Sequence, residues 1–162
     1  MGDQYHNSDP KRRAIAPARR LKSMTKSSGR TLIAISLGTI AGALSRYYLG
    51  RQIAHGFGSQ MPYGTFMINI TGCFVMGLLV AISEEQGFRI HPDLRLLLFT
   101  GFLGSYTTFS SYELDSLQLL QSNHLELALL YWLGSATLGL LGLIAGLLLT
   151  RKVLALLPDR LG

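Results

Sequence analysis

The chain has 162 residues, of which 48% are hydrophobic and only 15% charged, with 15 Lys+Arg, 9 Asp+Glu, 18 Gly and one Cys. Water-soluble domains carry about 25% charged residues, so this deficit argues against a soluble globule. The length suits one domain, and a single Cys excludes an internal disulfide framework or a multi-Cys metal cluster.

In chain order, residues 1–30 come first and are different in kind. They hold Lys11, Arg12, Arg13, Arg19, Arg20, Lys22, Lys26 and Arg30 with little that could build a core. Their composition predicts a disordered basic N-terminal tail, able to touch anionic lipid head groups. One aromatic, Tyr5, gives it no platform for nucleic-acid bases, so no nucleic-acid partner is expected. Four apolar stretches follow, at about 31–50, 63–83, 94–120 and 125–150, within a membrane domain of 31–157. Residues 158–162 form a short C-terminal tail. A helix of about 20 mostly apolar residues crosses the hydrocarbon core, and helices pair their backbone groups internally. The fourth stretch is apolar all round, where a soluble bundle would show a polar stripe. The fold class expected is therefore an all-α membrane protein of four transmembrane helices. The spacings Gly38-xxx-Gly42, Ser135-xxx-Gly139 and Gly142-xxx-Gly146 suit close helix packing.

Polar residues inside such spans carry a cost and mark candidate sites. Arg46, near the end of the first stretch, is a permanent cation that either snorkels to the interface or draws an anion into a vestibule. Asn69 lies midway along the second; its amide can join helices or offer two uncharged donors to an anion. The third stretch places Gly101, Gly104, Ser105, Thr107 and Thr108 at mid-membrane, a composition that breaks a helix. The freed carbonyls would need protein, water or a cation as partner. Phe109 and Tyr112 then share a helix face with Ser110 and Ser111 between them, and aromatic edges can face an anion. On the fourth stretch Tyr131 and Ser135 fall on one stripe. No Asp or Glu occupies the middle of a span; the carboxylates Glu84, Glu113 and Asp115 fall at or near helix ends. That inventory of neutral donors suits a small anion better than a cation. The four His residues, His6, His55, His91 and His124, have no ligand spacing, and nothing resembles a catalytic set, so no enzyme is expected.

The segments GTIAGALSRY, YGTFMINITGCFVMG and GFLGSYTTFSSYELDS resemble the signatures of the Fluc (CrcB) fluoride channels. The likeness runs from about residue 38 to 150 and leaves out only the basic tail. It implies a multi-pass protein of the bacterial plasma (inner) membrane that pairs with itself as a dual-topology, antiparallel homodimer, the third helix broken mid-membrane. It implies passive, fluoride-specific export from the cytoplasm, with two fluoride pathways and one central, structural, non-transported Na⁺. By the same resemblance, backbone carbonyls of Gly104 and Thr107 would hold the Na⁺, and Phe109 and Tyr112 would line the pores. Asn69 would orient the pore, with Thr108, Ser110, Ser111, Tyr131 and Ser135 along the fluoride path and Arg46 in the vestibule. Three features depart from the family pattern: Tyr112 stands where Phe is usual, Gly139 replaces a hydroxyl residue on the fourth helix, and the basic tail favours one insertion direction.

Two other classes compete with a fluoride channel. A small proton-coupled multidrug exporter of four helices needs a carboxylate within a span. A non-transporting assembly subunit leaves Asn69 and the hydroxyl stripe without a role.

Overall fold

A computed structural model of the chain describes residues 10–58, 60–85 and 90–156, with side chains from residue 29 onward. Residues 1–9 and the C-terminal tail 158–162 lie outside the described residues, as do Arg89 and Arg160. All regular structure among the described residues is helical: α1 (Pro10–Phe57), α2 (Tyr63–Glu84), α3 (Pro92–Arg95), a π-helix (Leu96–Leu103), α4 (Gly104–Tyr106), α5 (Phe109–Gln121) and α6 (Leu125–Ala155).

Among the described residues, three helical stretches are long and apolar enough to cross a membrane: Gly29–Phe57 of α1, Tyr63–Glu84 and Leu125–Ala155. The 22 residues of α2 rise about 33 Å, matching a hydrocarbon core of about 30 Å. The backbone is helical from Pro10, so residues 10–30, which composition reads as an irregular tail, extend α1 backwards. Propagating from an existing helix avoids the cost of nucleation, and this segment contains good helix formers such as Ala, Arg, Lys and Leu. At its other end α1 continues past residue 50 to Phe57.

The burial pattern is that of a protein surrounded by lipid. Gly64, Gly72 and Gly77 of α2 and Gly139 and Gly146 of α6 face inward. Leu130, Leu133, Leu140 and Leu148 face outward. In water so much exposed apolar surface would drive aggregation. In lipid, small residues at the contact let backbones approach closely while large ones meet acyl chains. The approach is close enough that a Cβ on Gly77 would lie 2.1 Å from the Leu143 carbonyl oxygen, and one on Gly146 2.2 Å from that of Phe74.

Among the described residues, two ion pairs tie elements together, Arg30 with Asp93 and Arg151 with Glu84 at 3.2 Å. The first joins α1, where it leaves its basic segment, to the start of α3; the second joins the ends of α2 and α6. The segment between α2 and α6 changes partner along its length. Its first half, α3 to α4 with the π-helix, packs on α1; its second half, α5, packs on α6. Between them Thr107 (φ −76°, ψ 158°) and Thr108 (φ −150°, ψ 116°) are extended, and helical pairing stops.

Candidate functional site

The interruption at Thr107 and Thr108 is held by side chains. Asn69 of α2 donates from Nδ2 to the Thr108 carbonyl at 3.0 Å and accepts the Thr108 amide on Oδ1 at 2.8 Å. One side-chain amide thus satisfies both backbone groups of a residue that has left its helix, as a low-dielectric interior requires. The same clasp has a second effect. In a continuous helix the Thr108 amide would pair with the carbonyl four residues back, that of Gly104; here it is turned to Asn69.

Thr108 then caps α5: its Oγ1 accepts the Ser111 amide at 3.2 Å and donates to Ser111 Oγ at 2.9 Å. An N-cap Thr satisfies a donor that a helix start leaves open. It also takes the amide that would have paired with the Thr107 carbonyl. That carbonyl instead accepts from Arg46 Nη1 at 3.4 Å. Arg46 is half-buried and, among the described residues, pairs with no carboxylate. Two neighbouring carbonyls, of Gly104 and Thr107, therefore lose their helical donors. Gly104 itself is exposed and Thr107 half-buried.

The π-helix before the interruption is tightly docked. Gly38 and Gly42 of α1 lie against it so closely that a Cβ would come within 2.2 Å of the carbonyl oxygens of Leu97 and Phe102 respectively. Ser105 Oγ reaches across to the Thr39 carbonyl at 3.0 Å. Tyr106 is buried, stacks on Phe102 at 5.7 Å and shares a hydrogen bond of 3.0 Å with Thr71. π-helical turns are rare and cluster at functional sites.

After the interruption the aromatic pair divides. Phe109 and Tyr112 stand 5.7 Å apart between ring centroids, yet Phe109 is 74% exposed and Tyr112 only 7%. The Tyr112 ring packs on Tyr131 at 5.5 Å, and its hydroxyl donates to the Trp132 carbonyl at 2.9 Å. The hydroxyl that distinguishes this Tyr from Phe is thereby committed to α6. Tyr131 is fully buried and donates to Asp115 Oδ2 at 3.1 Å. Ser135, one turn further along α6, is buried and its Oγ finds no partner among the described residues. Ser110 is exposed, 3.5 Å from Thr108 Oγ1.

The structure thus brings Asn69, Thr108, Ser110 and Ser111 together, Arg46 onto Thr107, and Phe109, Tyr112 and Tyr131 into one aromatic row. Sequence reasoning missed Asp115. Expected at a helix end, it lies midway along α5, half-buried against Tyr131. Its three-residue spacing from Tyr112, on the face that also buries Ser116 and Leu119, was the available signal. A cavity of about 540 Å³ reaches this site, lined by Arg46, Arg51, Thr65, Thr108 and Ser111.

These features define a small multi-pass, all-α membrane protein whose polar groups gather at an interruption between two helices. The chain belongs to the family described as "CrcB-like protein, Camphor Resistance (CrcB)", whose profile matches residues 33–147. Among its relatives, a protein of Trichormus variabilis named "Fluoride-specific ion channel FluC" is 52% identical over 119 residues, covering 74% of this chain and 87% of the relative. Proteins of the same name from a Synechococcus and a Synechocystis strain are 48% and 47% identical, covering 79% and 76% of this chain and 98% and 95% of the relatives.

Proposed function

We propose that this chain forms a fluoride-selective channel that lets F⁻ leave the cytoplasm passively across a bacterial inner membrane. The observation that carries this reading is the 52% identity, over 119 residues, with a channel so named. The chemistry of the site supports it. Around the interruption stand one guanidinium, one carboxamide, several hydroxyls and aromatic edges, which are donors suited to a small, strongly hydrated anion.

The chain acts as a membrane-embedded homodimer of oppositely inserted copies, in which the segment from α3 to α5 forms a fourth, broken crossing. Arg46 draws anions towards the site. Phe109 and Tyr112, with Asn69, Thr108, Ser110, Ser111, Tyr131 and Ser135, offer the dehydrating ion successive neutral contacts. Carbonyls of Gly104 and Thr107 fit a small hard cation, since backbone oxygens without helical donors are the ligands such ions take in broken membrane helices. A Na⁺ held there would neutralise converging carbonyl dipoles where two copies meet. Arg46, already on the Thr107 carbonyl at 3.4 Å, would share that oxygen or release it.

The test is ion efflux from liposomes containing the purified protein. Fluoride should leave rapidly and chloride be retained; equal efflux of both, or of neither, overturns the reading.

A further inference from the structure

The interruption meets α2 at three consecutive residues, each through a different partner. Thr108 is clasped by Asn69, Tyr106 is bonded to Thr71, and Thr107 rests on Gly72. The last two contacts have no part in the pathway proposed above. Thr71 Oγ1 gives its proton back to its own helix, to the carbonyls of Met67 at 2.7 Å and Ile68 at 3.2 Å. A threonine hydroxyl has one proton to give, so Tyr106 is the donor in the 3.0 Å bond between them. The Tyr106 ring is buried and lies within 8° of parallel to that of Phe102. It is thus fixed by its face and by its hydroxyl.

Thr107 is held on three sides. Its amide and its Oγ1 both donate to the Leu103 carbonyl, at 3.1 and 3.0 Å. Its methyl, Cγ2, occupies the notch that Gly72 leaves in α2. A Cβ on Gly72 would lie 2.3 Å from that methyl and 3.2 Å from the edge of the Tyr106 ring. Carbon atoms in contact prefer about 3.5–4.0 Å, so the ring would yield slightly while the methyl would have to move by more than about 1 Å. Turning χ1 would relieve the overlap only by breaking the Oγ1 bond to Leu103, and a β-branched side chain has few other rotamers. The displacement therefore passes to the Thr107 backbone, whose ψ of 158° sets the direction of its carbonyl. A cation site tolerates ligand shifts of only about 0.2 Å.

We propose that Gly72 and the Thr71–Tyr106 pair are positioning residues for the Thr107 carbonyl, and that they set how tightly the interruption holds a small monovalent cation. Gly72 supplies the notch that seats Thr107, and the Tyr106 hydroxyl fixes the residue before it. This inference rests on the reading of the Gly104 and Thr107 carbonyls as ligands of Na⁺.

The experiment follows the thermal unfolding midpoint of the full-length protein in detergent as Na⁺ replaces choline at constant ionic strength. A cation that binds only the folded state raises the midpoint as its concentration grows, and the concentration giving half the rise is compared between variants. Gly72→Ala should raise that concentration about 10-fold or more, as loss of an outer support for a metal ligand does. Adding Thr107→Ser to Gly72→Ala removes the obstructing methyl and keeps a hydroxyl for Leu103, so it should recover most of the loss. Tyr106→Phe should give a smaller increase, about threefold. A merely structural role would lower the midpoint without Na⁺ and leave the half-rise concentration where it was; that result, or a double variant no better than Gly72→Ala, overturns the inference. If Gly72→Ala yields no folded protein, Tyr106→Phe decides in the same way, an unchanged half-rise concentration overturning the proposal. A wild-type midpoint indifferent to Na⁺ overturns instead the cation reading on which it rests.

Discussion

At the scale of single residues, the centre of the molecule turns on one carboxamide. Asn69 meets both the amide and the carbonyl of Thr108, and no hydrophobic residue of similar volume could do either. Asn69→Leu would leave two buried backbone groups unpaired, a loss of about 1–3 kcal/mol for each. The expected result is a lower unfolding midpoint in detergent together with lost fluoride flux; a variant with unchanged stability would refute the clasp. The aromatic pair separates under the same kind of test. Phe109 is exposed within the chain, so Phe109→Ile should impair fluoride flux with little effect on the folding of the protomer. Tyr112 is packed on Tyr131 and bonded to Trp132. Tyr112→Phe should therefore cost about 0.5–1.5 kcal/mol, and Tyr112→Ile more, through the cavity left beneath Tyr131. Flux and thermal unfolding measured on each variant separate these roles.

At the scale of elements, contacts between α1 and the π-helix, and between α2 and α6, are made backbone to backbone. Gly42→Ala would set a methyl 2.2 Å from the Phe102 carbonyl oxygen, backbone that cannot swing aside. It should destabilise by about 3 kcal/mol or more. A methyl on Gly56, in the same helix α1, would meet nothing within 4 Å. Gly56→Ala should be neutral or stabilise by about 0.5–1 kcal/mol, because alanine loses less backbone freedom on entering a helix. Comparing the two unfolding midpoints tests whether docking, rather than glycine content, sets stability. The ion pair Arg151–Glu84 is largely exposed on both sides, and in Arg30–Asp93 the guanidinium is exposed while the carboxylate is partly covered. Such surface pairs typically contribute about 0–1 kcal/mol.

At the scale of the whole molecule, the channel reading predicts dependence on a monovalent cation that does not itself cross. Replacing Na⁺ with a large organic cation should reduce fluoride flux, and tracer sodium should stay where it was. Sodium crossing with fluoride would contradict a structural role for the Gly104 and Thr107 carbonyls.

Much of this architecture was legible in the chain. Residue-scale hydropathy places four apolar stretches, three of which the described structure builds as helices long enough to cross, because lipid demands long apolar helices whatever their neighbours are. Gly, Ser and Thr crowded into GFLGSYTTFSS mark where helical propensity fails. Asn69, Arg46 and the hydroxyls stand out because polar groups in apolar runs are costly. Tertiary structure alone decided the rest. That Asn69 reaches Thr108, 39 positions away, depends on how α2 leans against the interruption. That Tyr112 turns inward while Phe109 faces out depends on α5 packing against α6. That Asp115 meets the Tyr131 hydroxyl, 16 positions away, depends on α5 packing along the start of α6. Hydropathy is a local property of the chain; partnership between distant polar groups arises only when helices pack.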